Sequence, residues 1–235
     1  MRRLWHFYRT RKRRTQILIV VLLLMVSTAS GLYAWVTYDL PSLDNIEAGL
    51  ALPSTRIYDR HGRLLYEILP PEQGRNRVIP LEAIPEYCIQ AVIATEDANY
   101  YSHPGVDIVG ILRALWINIQ GGEVLAGGST ITQQTARLLL LDPQQQAERT
   151  LHRKLREMVL ALRLQNAYSK EHVLALYLNQ VYFGNLAYGI EAAARTYFAK
   201  SAEGLSLAEC SLLAGLVQNA AAYDPLSNLE AARER

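Results

Sequence analysis

Two acidic residues, two tyrosines and a histidine lie close together in the segment ATEDANYYSHPGVD, residues 94–107. If the segment is helical, Glu96, Tyr100 and His103 stand at positions i, i+4 and i+7 and share one face. A carboxylate held there could act as a general base. The alternative is an acidic helix end facing solvent, which the pattern alone favours because charged residues are mostly exposed.

A glycine-rich loop leads into a helix start in AGGSTITQQTAR, residues 126–137. Thr130 and Gln133 have the spacing of a capping box. Free N–H groups at such a helix start suit anions, although the Lys and the spacing of a Walker A phosphate loop are missing. A plain capping box after a glycine turn is the alternative.

Cations and an acid alternate with apolar residues in ERTLHRKLREMVLAL, residues 148–162. Helical spacing predicts a core stripe of Leu151, Leu155, Met158 and Leu162. Arg149, Arg153 and Glu157 then fall on the opposite side, with Lys154 beside them. The alternative is a surface ladder of ion pairs, worth about 0.3–0.5 kcal/mol per pair.

The elements that must position these residues are mostly helices. Apolar periodicity predicts helices over residues 86–101, 106–120, 129–141, 147–167, 169–183, 185–198 and 206–220. Residues 54–69 alternate around Asp59–Gly62 and predict a β-hairpin, and residues 70–80 are predicted as loop. The chain therefore divides into residues 1–38, a linker with a hairpin over 39–80, and a helical domain over 81–235.

Residues 17–36 form an uncharged apolar run of 20 residues, about 30 Å long as a helix and sufficient to cross a bilayer. Seven of the 24 Lys and Arg residues precede it, which predicts a cytoplasmic N-terminus and an extracytoplasmic remainder. A cleaved signal peptide ending near residues 27–31 is the alternative. The remainder carries 17 basic against 22 acidic residues, a balance that argues against nucleic-acid binding.

Cys88 and Cys210 are the two cysteines, and both lie in apolar helical patterns. A disulfide between them is possible in an oxidising compartment, and buried free thiols are the simpler interpretation. The sequence contains no Cys/His spacing typical of zinc and no HExxH motif.

Together, the polar segments resemble the glycosyltransferase family 51 domain, the peptidoglycan polymerase module of class A penicillin-binding proteins and monofunctional transglycosylases. Four family motifs occur in order. The first, Glu-Asp-x-x-Phe-x-x-His-x-Gly, matches Glu96, Asp97, His103 and Gly105, with Tyr100 replacing Phe. The second, Gly-Gly-Ser-Thr-Ile-Thr-Gln-Gln, is complete from Gly127 to Gln134. The third, Arg-Lys-x-x-Glu, is Arg153, Lys154 and Glu157. The fourth runs from Lys170 through Tyr177 and Asn179 to Gly184.

The resemblance implies a mainly α, lysozyme-like transglycosylase domain behind a single transmembrane helix and a short hairpin segment. It implies that lipid II is polymerised by inverting transfer onto an acceptor hydroxyl, with release of undecaprenyl diphosphate. Glu96 would be the general base and Glu157 a second essential carboxylate. The residues implied to bind substrate are Asp97, Tyr100, His103, Gly128, Ser129, Thr130, Gln133, Gln134, Arg137, Arg149, Arg153, Lys154, Lys170, Tyr177 and Asn179.

The resemblance also implies partners and a metal. Glu157 would hold a divalent metal, Mg or Mn, or orient the cations that clamp the diphosphate, and no organic cofactor is implied. The partners would be lipid II, the lipid-linked glycan chain, the membrane and cell-wall synthesis proteins, with no nucleic acid. LLLL, residues 138–141, and the apolar helix over 106–120 would contact lipid or pack in the core.

Neighbouring cations would lower the pKa of Glu96 in the free protein, and bound diphosphates would raise it again. Two other functions stay open from the sequence: a lysozyme-like enzyme that cleaves glycans, and an inactive membrane-anchored scaffold. The cation group at residues 149–157 favours the transferase, because cleavage of a neutral polymer does not need it.

Overall fold

The computed structural model describes residues 2–46, 55–68, 74–121 and 127–235. Ser54 and Leu69 at the ends of the predicted hairpin segment, residues 70–73 of the predicted loop and Gly122 of the predicted helix stop lie outside the described residues. The chain forms two compact units, one up to Leu40 and one from Pro41 onward.

The first unit is one long helix, α1, Arg2–Thr37. Its stretch Thr15–Thr37 has a mean hydropathy of 2.3, and its residues from Thr15 to Trp35 are exposed. By length and composition this stretch can cross a membrane, since 23 residues extend about 35 Å. The predicted N-terminal apolar helix is therefore confirmed, and it continues into the basic tail.

The second unit is mainly helical, as predicted. Its helices are α2 Glu86–Glu96, α3 Ile108–Gly121, α4 Ile131–Leu140, α5 Pro143–Ala147, α6 Leu151–Ala167, α7 Lys170–Gln180, α8 Ile190–Phe198, α9 Leu207–Gln218 and α10 Leu229–Glu234. In the core, α2 packs against α9, and α4 packs against α6 and α7. Leu139, Leu140 and Leu141 are buried, so most of the LLLL run belongs to the core.

The predicted hairpin is confirmed as β1, Thr55–Tyr58, antiparallel to β2, Leu64–Ile68. A second small sheet was not predicted: β3, Arg75–Asn76, pairs in parallel with β4, Ala187–Tyr188. The prediction of a helix from residue 185 is therefore wrong. Asn185, Leu186 and Gly189 all have positive φ angles, which are incompatible with a right-handed helix, so α8 begins only at Ile190.

The two cysteines form a disulfide, which is one of the two possibilities that the sequence left open, and the simpler interpretation as free thiols is wrong. Cys88 lies on α2 and Cys210 on α9, with their Cα atoms 4.7 Å apart, inside the range for a disulfide. Packing of these two helices brings residues 122 positions apart into contact. Periodicity within each helix carries no information about that pairing.

Candidate active site

The first predicted constellation does not lie on one helix. α2 ends at Glu96, Tyr100–Ser102 form a short 3-10 turn, and His103 is extended. The cause is Asp97, whose buried carboxylate accepts a hydrogen bond from the Ile131 N–H (3.0 Å) and lies 2.9 Å from His103 Nε2. Because these tertiary contacts replace another helical turn, the predicted shared face is wrong and Glu96 stands at a helix end.

Buried partners hold the turn that follows Glu96. The His103 Nδ1 accepts the Gly105 N–H at 3.2 Å, which leaves Nε2 as the protonated nitrogen that donates to Asp97. The Tyr100 hydroxyl donates to the Lys170 carbonyl at 2.7 Å, and the Lys170 ammonium lies 4.4 Å from the centre of the Tyr100 ring. The structure gives these motif residues a supporting role, and direct substrate contact by them stays a prediction.

The predicted capping box at the start of α4 is confirmed. Thr130 Oγ1 accepts the Gln133 N–H at 3.1 Å, and Gln133 Oε1 accepts the Thr130 N–H at 3.0 Å. The Thr130 hydroxyl also donates to the Gly105 carbonyl at 2.6 Å. This bond joins the start of α4 to residues 97–107, the loop that follows α2 and is called the Glu96 loop below. Both side chains are buried and used for this support.

The residues just before the cap reach towards other elements. A Cβ at Gly128 would lie 3.1 Å from the Ile111 Cα, so the loop passes very close to the backbone of α3. Ser129 is partly buried, and its Oγ accepts a hydrogen bond from Lys154 Nζ at 2.6 Å. The loop that precedes α4 is thereby connected to the cations of α6.

Glu157 lies at the centre of three cations and is 2% exposed. Its carboxylate pairs with Arg153 Nη1, and it lies 3.4 Å from Lys154 Nζ and 4.0 Å from Arg137 Nε. One carboxylate among three cations leaves a surplus of positive charge. Arg149 precedes α6, is exposed, and makes no ion pair with any described residue. The structure therefore brings Arg137, Arg153 and Lys154 together around Glu157, and Arg149 makes no ion pair with that carboxylate.

The face of α6 that carries Glu157 is the buried one, so the predicted core stripe is wrong. Its buried residues are Arg156, Glu157, Leu160, Ala161 and Leu164. Leu151, assigned to the core by the pattern, is 75% exposed, and Leu162 is exposed as well. The helix has apolar residues on two faces, and contact with α4 determines which of them is buried.

Glu96 and Ser129 line the same cavity, which has a volume of about 150 Å³. Asn99, Asp107 and Arg113 also line it, and the sequence reasoning missed all three. Asp107 Oδ1 accepts the Gly110 N–H at 2.8 Å and so begins α3. Arg113 had a detectable signal, because it is the only charged residue in the apolar sequence of α3.

The pKa of Glu96 is shifted in the direction opposite to the one predicted from the sequence. Burial raises the pKa of Glu96, with a smaller contribution from Asp97, whereas a hydrogen bond from Gln134 and the charge of Arg235 lower it. The prediction that neighbouring cations dominate and lower this pKa is wrong, because burial makes the largest contribution to the pKa and raises it. Burial also lowers the pKa of Lys154, against the attraction of Glu157.

Gln134 links Glu96 to the core. Its Nε2 donates to Glu96 Oε2 at 2.8 Å, and its Oε1 accepts the Tyr177 hydroxyl at 3.0 Å. Asn179 has different surroundings: its amide exchanges two 2.9 Å hydrogen bonds with the backbone of Ile79. Asn179 thus attaches the segment after β3 to α7, and its predicted contact with substrate stays untested.

The residues present do not fit a resident divalent metal. Within the described ranges, no three His, Cys, Asp or Glu side chains lie close enough to share an ion. Glu157, the predicted ligand, already pairs with cations, which would repel a metal ion. A carboxylate in these surroundings orients cations better than it holds a metal.

Comparison with known proteins identifies the class. The transglycosylase family profile matches residues 61–235, most of the chain, and the chain belongs to that family.

Two relatives named penicillin-binding protein 1A show the extent of the similarity. Penicillin-binding protein 1A of Aquifex aeolicus (strain VF5) is 41% identical over 197 residues, which covers 84% of this chain and 26% of the relative. The protein of the same name from Escherichia coli (strain K12) is 39% identical over 220 residues, or 92% and 25% of the two chains. A crystal structure of Penicillin-Binding Protein 1A from Haemophilus influenzae aligns with a TM-score of 0.40 and 24% identity, over 79% of this chain and 17% of that one. The chain spans about a quarter of the length of these curated relatives.

Proposed function

We propose that this chain is a peptidoglycan glycosyltransferase of cell-wall synthesis that polymerises lipid II into glycan strands. The acceptor hydroxyl attacks the donor sugar at C1 with inversion, and undecaprenyl diphosphate leaves. One observation carries the proposal: a single cleft combines the partly buried carboxylate of Glu96 with Ser129, which is bonded to the Lys154 of a cation cluster.

Glu96 has the properties of the general base. Burial raises its pKa towards neutrality, where a base exchanges protons most effectively. Its Oε2 is held by Gln134, and its Oε1 has no hydrogen bond to any described residue. That oxygen is available to take the proton of the attacking hydroxyl.

The cation cluster has the properties of a leaving-group site. A diphosphate is already a good leaving group and needs its charge neutralised more than it needs a proton. Arg137, Arg153 and Lys154 around Glu157 leave a surplus of two positive charges, which matches the two negative charges of a diphosphate diester. Glu157 fixes the three cations before the substrate arrives.

In this scheme the protein does not have to bind a divalent ion with its own side chains. Mg²⁺ is commonly held by substrate phosphates with few protein ligands. If Mg²⁺ or Mn²⁺ takes part, the diphosphate of the substrate and water must therefore supply most of its ligands.

The membrane supplies the substrate in this proposal. The apolar stretch of α1 would anchor the chain with its N-terminus in the cytoplasm and its catalytic unit outside, as the basic tail predicts. α3 offers a second apolar surface, whose exposed large apolar residues are Ile108, Val109, Leu112, Leu115, Trp116, Ile117 and Ile119. An exposed apolar face of this size suits a lipid tail or the bilayer surface beside the cleft.

The test supplies labelled lipid II to the detergent-solubilised chain and to its Glu96→Gln variant, and then sizes the products. Glycan polymer from the wild type and none from the variant is the expected result. Unchanged lipid II together with cleavage of finished strands would favour a lytic enzyme, and binding without turnover would favour a scaffold. Cell-wall synthesis proteins that bind the chain could be captured in the same detergent.

A further inference from the structure

Tyr177 carries a buried hydroxyl that the proposed chemistry has not used. Its ring is fully buried in the core, at 0% exposure. The hydroxyl donates to Gln134 Oε1 at 3.0 Å, and Gln134 Nε2 donates to Glu96 Oε2 at 2.8 Å. The three side chains form one hydrogen-bonded chain from α7 through α4 to the end of α2.

The directions of the two hydrogen bonds depend on each other. An ionised carboxylate only accepts, so the amide N–H of Gln134 must face Glu96 and its oxygen must face Tyr177. The ionised carboxylate thus dictates the orientation of the amide, and the hydroxyl that donates to the amide oxygen adds a second hydrogen bond to that orientation. The reversed amide would place an oxygen against Glu96, which is favourable only when Glu96 is protonated.

We infer that Tyr177 is a positioning residue which, through the Gln134 amide, fixes the orientation of the Glu96 carboxylate at the cleft. The inference rests on the proposed function, since it gives Tyr177 a part in the same reaction. A phenylalanine would fill the same core volume without the hydroxyl.

Few other charged groups affect this chain of bonds. Asp97 and Arg235 act on Glu96, and Arg137 and Asp97 act on Tyr177. A Tyr177→Phe substitution leaves all of them in place. A change in the titration of Glu96 in that variant can therefore be assigned to the lost hydroxyl.

The experiment measures initial rates of glycan formation against pH for the full chain and its Tyr177→Phe variant. We expect kcat to fall about tenfold, the loss typical of one buried hydrogen bond, with KM for lipid II unchanged. The acidic limb of the pH–rate profile should move to higher pH, because the Gln134 hydrogen bond lowers the pKa of Glu96. A merely structural role would lower stability and leave the profile where it was.

Two further variants test whether the effect passes through Gln134. Gln134→Leu should reproduce the shift, and adding Tyr177→Phe to it should cause no further loss. Tyr197→Phe is the matched control, because its hydroxyl donates to the Phe183 carbonyl at 2.8 Å, in a contact that includes neither Glu96 nor Gln134. It should keep the wild-type profile.

A second measurement, of thermal stability, does not depend on enzymatic activity. Thermal stability against pH, compared between each background and its Glu96→Gln derivative, reports the titration of Glu96. We expect Glu96→Gln to stabilise the Tyr177→Phe background more than the wild type at neutral pH. Equal stabilisation, a wild-type kcat and profile, or additive losses with Gln134→Leu would each overturn the inference. An inactive wild type with unequal stabilisation would refute the proposed function alone.

Discussion

Replacing Gly105 by alanine should destabilise the second unit and disturb the junction between the Glu96 loop and the start of α4. Gly105 has a φ angle of +105°, which side-chain-bearing residues rarely adopt. An alanine Cβ there would lie 2.8 Å from the Ala161 carbonyl oxygen of α6. The Gly105 carbonyl also accepts the Thr130 hydroxyl, so a shift of the loop reaches α4.

The structure allows the size of the effect to be worked out. The left-handed backbone costs an L-residue about 1–2 kcal/mol. Inserting a methyl group into a contact that is already tight costs about 1–3 kcal/mol more. The sum is about 2–5 kcal/mol, which corresponds to a fall in Tm on the order of 10 °C for a domain of this size.

The assay is thermal unfolding of the detergent-solubilised chain followed by circular dichroism. Two other glycines separate the contributions. Gly62 has a φ of +77° with no atom within 4 Å of its virtual Cβ, so Gly62→Ala should show the backbone cost alone. Gly127 also has open space and no left-handed φ, so Gly127→Ala should change stability by less than about 0.5 kcal/mol.

The expected order of destabilisation is Gly105 first, Gly62 second and Gly127 last. If Gly105→Ala loses no more stability than Gly62→Ala, the loop does not contact the α6 backbone as described. At temperatures where Gly105→Ala stays folded, we also expect slower glycan formation, since the anchor of Thr130 is displaced.

Three further predictions concern charge and covalent links. Burial raises the pKa of Glu96. Between the ordinary and the raised pKa, the folded state therefore binds more protons than the unfolded state. The free energy of unfolding should fall as the pH rises through that window. Glu96→Gln should therefore raise Tm at neutral pH, with the gain vanishing below the ordinary carboxyl range; a gain independent of pH would contradict this. Arg153→Ala should reduce glycan formation about tenfold more than Arg149→Ala, because of these two arginines Arg153 alone pairs with the buried Glu157. Equal losses in initial rate would place Arg149 in the site. Reduction of the Cys88–Cys210 disulfide, which closes a loop of 122 residues, should remove about 3–5 kcal/mol of stability, and a Cys88→Ser/Cys210→Ser variant should have a Tm that reductant does not change.

Structural features that depend on residues close together in the chain were predicted correctly from the sequence. The apolar stretch of α1, the β1–β2 hairpin and the Thr130–Gln133 capping box each follow from side chains a few positions apart. The order of the four motifs also indicated the transglycosylase family, which the family profile confirms over residues 61–235.

The arrangement of the site depended on contacts between distant segments. Asp97 ends α2 because its carboxylate binds Ile131, 34 positions later. Two alternative apolar faces of α6 were compatible with the same periodicity, and packing against α4 buried the one that carries Glu157.

By itself, the sequence determined the long apolar helix near the N-terminus, the helical class and the residue types available for chemistry, because local periodicity and capping carry that information. Only the tertiary structure decided which of those residues meet. It paired Glu157 with Arg137, Arg153 and Lys154 and not with Arg149, paired Cys88 with Cys210, and connected Tyr177 to Glu96 through Gln134. The physical reason is that burial and hydrogen bonding between segments far apart in the chain compete with local preference, and at this site the distant contacts are the stronger.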